Sequence, residues 1–204
     1  MSYDDAMDEA PDIARRGAYG KGVRRRREIL DRAIEVFAER GAEGTSLRAI
    51  GEAIGVSHAA LKHYFASREE LLIEVYRAAE ERSLAEDPPP ADVSVVGLMT
   101  QAARRNHGVP GLVQLYSTLV AGALEESHEP SRVFFGERFA QLRRSLAERI
   151  EAEQRAGRIR PDITPGAAAA LIIAASDGLQ TQWLLDPEVD IEKSLELLEG
   201  LLRA

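Results

Sequence analysis

Two nitrogen-bearing side chains, His58 and Lys62, stand four positions apart in the run HAALKHY, whose other members are mostly small or aromatic. At that spacing they share one helical face, and both have the reach to meet base edges or phosphates. Ala59 and Ala60 beside them let a backbone come close and suit contact with a thymine methyl. Thr45, Ser46, Arg48, Ser57, His63, Tyr64 and Arg68 surround the run with the hydroxyls and cations that hold phosphate oxygens. The chemistry on offer is recognition. Cysteine is absent, and His58, His63, His107 and His128 form no i, i+4 metal pair. With no Gly-rich phosphate loop and no nucleophile elbow, the expectation is no catalytic residue, no cofactor and no metal.

The elements that must position these groups are two short helices around Gly55-Val56-Ser57. Leu47, Ile50 and Ile54 recur at helical spacing before the turn, with Thr45 or Ser46 placed to cap the first helix. Gly55 can take the positive φ that ends it, Val56 can bury as the hinge residue, and Ser57 can cap the second helix. In that second helix Ala60, Leu61 and Phe65 supply apolar contacts. Ser67-Arg68-Glu69-Glu70 then has the S-x-x-E form of a capping box opening a further helix. The pattern is a helix-turn-helix with its second helix exposed to read DNA.

The stretch TSLRAIGEAIGVSHAALKHYFASREELL resembles the signature of the tetracycline-repressor (TetR) family of bacterial transcription regulators. The resemblance covers residues 24–85 well and the rest through helical pattern and a few short runs. One position departs from it: many members carry an aromatic directly after the recognition-helix leucine, and here that place is Lys62. The resemblance implies a second, ligand-binding domain whose occupancy shifts the connecting helix and respaces the recognition helices. It also implies dimerisation through a four-helix bundle made from the last two long helices of each subunit. The expected function is a ligand-responsive DNA-binding regulator, a repressor released by a small apolar or aromatic molecule.

A net charge of −8 argues against nucleic acid until it is divided along the chain. Residues 1–14 carry −5, residues 15–68 carry +6 and residues 69–204 carry −9. The basic stretch coincides with the helix-turn-helix, as a phosphate-binding module requires. Arg24, Arg25, Arg26 and Arg27 crowd about one turn and cannot all pair with Glu28 and Asp31, so Arg24 and Arg25 are candidate phosphate contacts, against the plainer reading of a frayed basic helix end. Residues 1–20 are acidic, lack an apolar core and are expected to form a disordered tail rather than a signal peptide. With no apolar run long enough to span a bilayer, the expectation is a cytoplasmic protein without a membrane partner.

The fold class expected is all-α: a three-helix DNA-binding unit with its connecting helix over residues 21–87, and a ligand-binding and dimerisation domain over 91–204. The boundary is placed at Pro88-Pro89-Pro90, which cannot donate hydrogen bonds and favour extended backbone. Helices are predicted at about 92–106, 110–127, 131–157, 165–185 and 190–203. The fourth of these is apolar around much of its circumference. With the last helix it offers a dimer interface through Leu171, Ala175, Leu179, Leu195, Leu198 and Leu202, or else a core of the chain's own. A homodimer would bind a palindromic double-stranded operator, with half-sites about 34 Å or a multiple apart. Candidate ligand-binding residues are Met99, Arg104, His107, Tyr116, Phe134, Phe135, Asp177, Gln180 and Trp183, although aromatics at helical spacing also serve as core. The competing reading is an all-helical small-molecule-binding dimer without DNA function; within the preferred class, control by a partner protein replaces the ligand.

Overall fold

The computed structural model describes residues 11–40, 47–90 and 92–204, with side chains for 21–38, 47–90 and 92–204. Its elements are α1 (Pro11–Arg40), α2 (Leu47–Ile54), α3 (His58–Tyr64), α4 (Arg68–Glu86), α5 (Val95–His107), α6 (Pro110–Gly122), α7 (Glu129–Arg155), α8 (Pro165–Leu185) and α9 (Ile191–Leu202). Apart from an isolated bridge between Ile159 and Arg203, the described residues contain no β-structure. None of the described helices is long and apolar enough to cross a membrane.

The helix starts follow from local chemistry. Ser57 Oγ accepts from Ala60 N–H, Ser67 from Glu70 N–H, Ser94 from Gly97 N–H, and the Asp190 carboxylate from Lys193 N–H. Proline occupies the first turn of α6, α7 and α8, where its missing N–H costs nothing. α1 begins at Pro11 rather than near Lys21, so residues 11–20 of the expected tail are helical. The tail reading rested on missing apolar periodicity, yet proline suits a first turn and the glycines within 11–20 lower helix propensity without forbidding a helix. The caps expected at Thr45 and Ser46 lie outside the described residues.

Two apolar cores form. The first joins Ile29, Ala33 and Phe37 of α1 to Ile50, Ile54, Leu61, Phe65, Leu71 and Val75. It does not stop at the exposed prolines after α4, because Leu115 and Leu119 of α6 and Phe135 of α7 belong to it. The second joins Val95, Val96 and Ala103 of α5 to Leu146, Ile150, Ala169, Ile172, Ile191 and Leu195. Phe139 packs against both. The N-terminal unit is therefore seated on α6 and α7 by shared side-chain packing.

Candidate DNA-reading helix and ligand cavity

Everything about the α2–α3 corner serves to hold α3 at one angle. Gly55 adopts φ +69°, which L side chains rarely adopt, and so ends α2. Val56 N–H donates to Gly51 O at 2.7 Å, and a Cβ on Gly51 would lie only 2.4 Å from Val56 O. Only glycine lets the chain double back this closely. From α1, Arg32 Nη1 donates to Ile54 O at 3.2 Å, and Leu61 and Phe65 are buried in the first core. Glu70 Oε2 accepts from Ala66 N–H at 2.6 Å, so the capping box expected at Ser67 forms with its return bond one residue earlier.

The outward face of α3 is then left to His58, Ala59, Lys62 and His63, all exposed. The side chains of His58 and Lys62 make no hydrogen bond or ion pair among the described residues, and His63 makes only an edge contact with the Tyr64 ring at 5.0 Å. Ala60 and Tyr64 are half-buried and pack on the first core, so each has only its outer edge to offer a partner. Ser57 is committed to its cap, which leaves its Oγ partly spent. Arg48 pairs with Glu52 at 3.0 Å on the exposed surface, and Arg68 is exposed at the start of α4. Thr45 and Ser46 lie outside the described residues.

The arginine run at α1 divides as its spacing requires. Arg25 pairs with Glu28 at 2.9 Å. Arg26 turns inward, pairing with Glu74 of α4 at 3.0 Å and lying over the Phe65 ring at 4.9 Å. Arg24 and Arg27 are exposed and form no ion pair among the described residues. Both are thus available to phosphate, and Arg27, unlike Arg24, was not singled out by the sequence.

A cavity of about 320 Å³ opens between α4 and helices α5–α8. Its apolar wall includes Leu98, Met99, Leu112, Val113, Leu142 and the ring of Tyr76. Its polar groups come from five different helices and are largely tied to one another. Arg138 forks onto Glu80 through two bonds of 2.6 Å, Asn106 donates to Gln180, and Tyr116 Oη donates to Asp177 Oδ2 at 2.9 Å. Arg105 reaches out of the cavity to Asp87, with Nη1 3.2 Å from the backbone oxygen and 3.6 Å from Oδ2. Burial raises the Tyr76 and Tyr116 phenols above their ordinary range, so both stay protonated. Burial also raises the Asp177 carboxyl, opposed by the Tyr116 hydrogen bond and by the charge of Arg138.

Of the ligand-binding residues expected from the sequence, Met99, Tyr116, Asp177 and Gln180 line this cavity. The others do not. Arg104 is on the surface in an ion pair with Glu192 at 2.7 Å, and His107 stacks on Trp183 with ring centroids 4.6 Å apart. Phe135 is 2% exposed within the first core, and Phe134 packs beside it beneath Arg77. These aromatics are structural because the α4–α7 contact needs their area. Glu80, Arg138 and Tyr76 were missed; Glu80 and Arg138 lie 58 residues apart, and nothing local marks them as partners.

The α8–α9 pair also rearranges the expected interface. Leu195 and Leu202 are core residues at 0% and 9% exposure, and Ala175, Leu179 and Leu198 are half-buried against the second core. Leu171 remains exposed at 64%, and Leu185, Leu197 and Leu201 join it. On α8 the outward stripe runs Ala167, Ala170, Leu171, Ala174, Gly178 and Leu185, small apolar residues at helical spacing.

Comparison with known proteins agrees with this layout. Residues 29–75 match the family described as bacterial regulatory proteins, tetR family, and residues 123–204 match the BetI-type transcriptional repressor, C-terminal. An HTH-type transcriptional repressor of Mycobacterium tuberculosis is 28% identical over 183 residues, covering 88% of this chain and 93% of that protein. The HTH-type transcriptional regulator UidR of Escherichia coli is 26% identical over 188 residues, covering 86% and 88%. A solved TetR-family regulator from Rhodococcus shares the fold, with a TM-score of 0.68 and 24% identity over 87% of this chain and 96% of its own.

Proposed function

Because the chain belongs to the tetR family of bacterial regulatory proteins, we propose that it represses transcription by binding a palindromic operator as a two-fold dimer and leaves it when a small molecule fills the cavity behind α4. The protein is a DNA-binding transcriptional regulator and not an enzyme. The observation that carries the reading is the face of α3. Its His58 and Lys62 side chains stand exposed, with no partner among the described residues, on a helix whose angle is set by the Gly51–Val56 approach. Unpaired exposed donors on a rigid helix are what a major groove can use.

In this reading Lys62 and His58 meet base edges. Ala59, Ala60, Arg48, Ser57, His63, Tyr64 and Arg68 add methyl and phosphate contacts, and Arg24 with Arg27 holds the flanking backbone. The small apolar stripe of α8 with Leu197 and Leu201 of α9 supports self-association, since four exposed leucines on two adjacent helices are costly to leave in water. The link between cavity and DNA is α4, which starts three residues after α3 and supplies Tyr76, Ala79, Glu80, Ser83 and Leu84 to the cavity wall. Along α4, Glu69 accepts from Ser131 N–H at 3.0 Å, Arg77 covers Phe134, and Glu80 holds Arg138. A ligand that moves α4 off α7 must break these, and α3 moves with α4.

Selection of bound sequences from random duplexes, followed by a salt titration on the winner, tests this. A palindrome bound with steeply salt-dependent affinity is expected. No enrichment, or enrichment of a site without two-fold symmetry, would remove the DNA-reading or the dimer part of the proposal respectively. Lys62→Ala should weaken the selected site by about 1–3 kcal/mol and relax preference at one position per half-site; uniform weakening across sequences would demote Lys62 to a phosphate contact. Leu171→Glu with Leu201→Glu should convert dimer to monomer in analytical ultracentrifugation, and an undiminished dimer would place the interface elsewhere.

A further inference from the structure

A second cavity, of about 360 Å³, opens where the start of α5 meets the ends of α7 and α9, and it shares no lining residue with the one behind α4. Four of its lining residues, Val95, Val96, Ile159 and Leu202, are apolar and at most 9% exposed. Glu153, itself 6% exposed, lines the cavity with them. Its Oε1 accepts from Val95 N–H at 3.0 Å and so caps the first turn of α5. Its Oε2 accepts no hydrogen bond, and the side chain forms no ion pair, among the described residues. That oxygen is not sealed from solvent, so it opens into the cavity. Capping α5 needs one oxygen, and a glutamine would supply it. A carboxylate with a single neutral donor keeps most of about four lone-pair sites unmet, and among apolar walls it draws a donor that carries charge.

The other charges of the lining divide in a usable way. Glu199 and Arg203 stand 3.8 Å apart and largely cancel. Asp92 is exposed and adds negative charge, while Arg158 is exposed and forms no ion pair among the described residues. The wall that carries Arg158 is fixed: Ala204 N–H donates to Arg158 O at 3.2 Å and Arg160 N–H to Leu202 O at 3.1 Å, clipping the turn after α7 to the end of α9. A quaternary ammonium has no N–H to give Oε2. A guanidinium has five, is planar and is more weakly hydrated than a compact ammonium, which suits burial beside Glu153.

We propose that this second cavity binds a small guanidino acid, with its guanidinium donating to Glu153 Oε2, its aliphatic stem along Val95, Val96, Ile159 and Leu202, and its acid group met by Arg158. Glu153 then has two tasks, one for each oxygen. The site is separate from the cavity behind α4 and stands or falls without it.

The test is calorimetric titration of the full chain with L-arginine, its neutral isostere L-citrulline, and agmatine, which keeps the guanidinium and lacks the acid. L-arginine is expected to bind at least about tenfold more tightly than L-citrulline, with agmatine weaker than L-arginine by about threefold or more. Glu153→Gln keeps an oxygen for Val95 N–H, and in it the advantage over citrulline should fall below about threefold. Arg158→Gln should abolish the advantage over agmatine and keep the one over citrulline. Binding of none of the three, or equal affinity for arginine and citrulline, overturns the proposal without recourse to any variant. Equal affinity for arginine and agmatine overturns it as well, since the acid group would then meet nothing. An advantage that survives Glu153→Gln, or one that is lost in Asp177→Asn instead, would move the binding elsewhere and also overturn it.

Discussion

The face of α3 and the cavity behind α4 treat polar side chains in opposite ways. On α3 the His58 and Lys62 side chains stand exposed with no partner among the described residues. In the cavity Glu80, Arg138, Asn106, Gln180, Tyr116 and Asp177 are joined to one another across helices distant in sequence. Polarity turned outward adds almost nothing to the fold and is free to specify a partner. Polarity turned inward is part of the packing, so changes there alter stability and recognition together.

The sharpest way to break this contrast is at the turn that presents α3. Gly51→Ala should cost about 3 kcal/mol in urea unfolding, because the added methyl meets the Val56 carbonyl at 2.4 Å and the obstacle is backbone. A cost under about 1 kcal/mol would mean that the α2–α3 angle is yielding. Next is Glu80→Ala, which strips Arg138 of its fork while the Arg138 Nε is already buried without a partner among the described residues. With side chains 25% and 33% exposed, the loss should be about 2 kcal/mol, less than for a fully buried pair, and Arg138→Met on top should recover part of it. No recovery would show that the fork stabilises by more than mutual neutralisation.

Asp177→Asn should act in the opposite direction, raising stability at neutral pH while retaining the oxygen that accepts from Tyr116. Burial holds the folded carboxyl above its ordinary value of 3.8, so the folded state binds its proton more tightly than the unfolded state does. The cost of charging it is therefore absent below the unfolded value, grows as pH rises, and is complete once pH has passed the folded group's own value. The advantage of Asn should shrink towards acid pH in parallel melts, and a constant advantage would assign it to packing. Lys62→Ala closes the series with a stability change within about 0.5 kcal/mol, whatever it does to operator binding. A larger loss would give Lys62 a structural role and blur the contrast.

Legibility in the sequence followed the same division. The helix-turn-helix could be read because every signal in it is local: Gly55 and Ser57 lie within three residues, and Ser67 and Glu70 within four. Helices α4 to α9 were visible through proline starts, serine and aspartate caps and apolar spacing, with ends misplaced by a few residues at α5 to α7. Asp177 drew notice as a charge within an apolar helix. Its meaning did not, since Tyr116 lies 61 residues away and Arg138 is absorbed by a partner on α4. Phe135 and Trp183 could be read as cavity or, more often for such residues, as core, because a ring on a helical stripe is buried in both cases.

By itself the sequence determined the order of the helices, the turn that carries α3 and the residues α3 presents, since caps, glycine and 3.6-residue periodicity act within one or two turns of chain. Only the tertiary structure decided which leucines of α8 and α9 face out and which polar groups meet. A helix apolar around most of its circumference has no inside of its own, and Leu195 is buried while Leu197 is exposed solely because α5 and α8 cover one side of α9. The pairing of charges in the cavity is likewise a property of the assembly, for α7 gives Arg138 to Glu80 and, among the described residues, Asp177 forms no ion pair and meets only the Tyr116 hydroxyl.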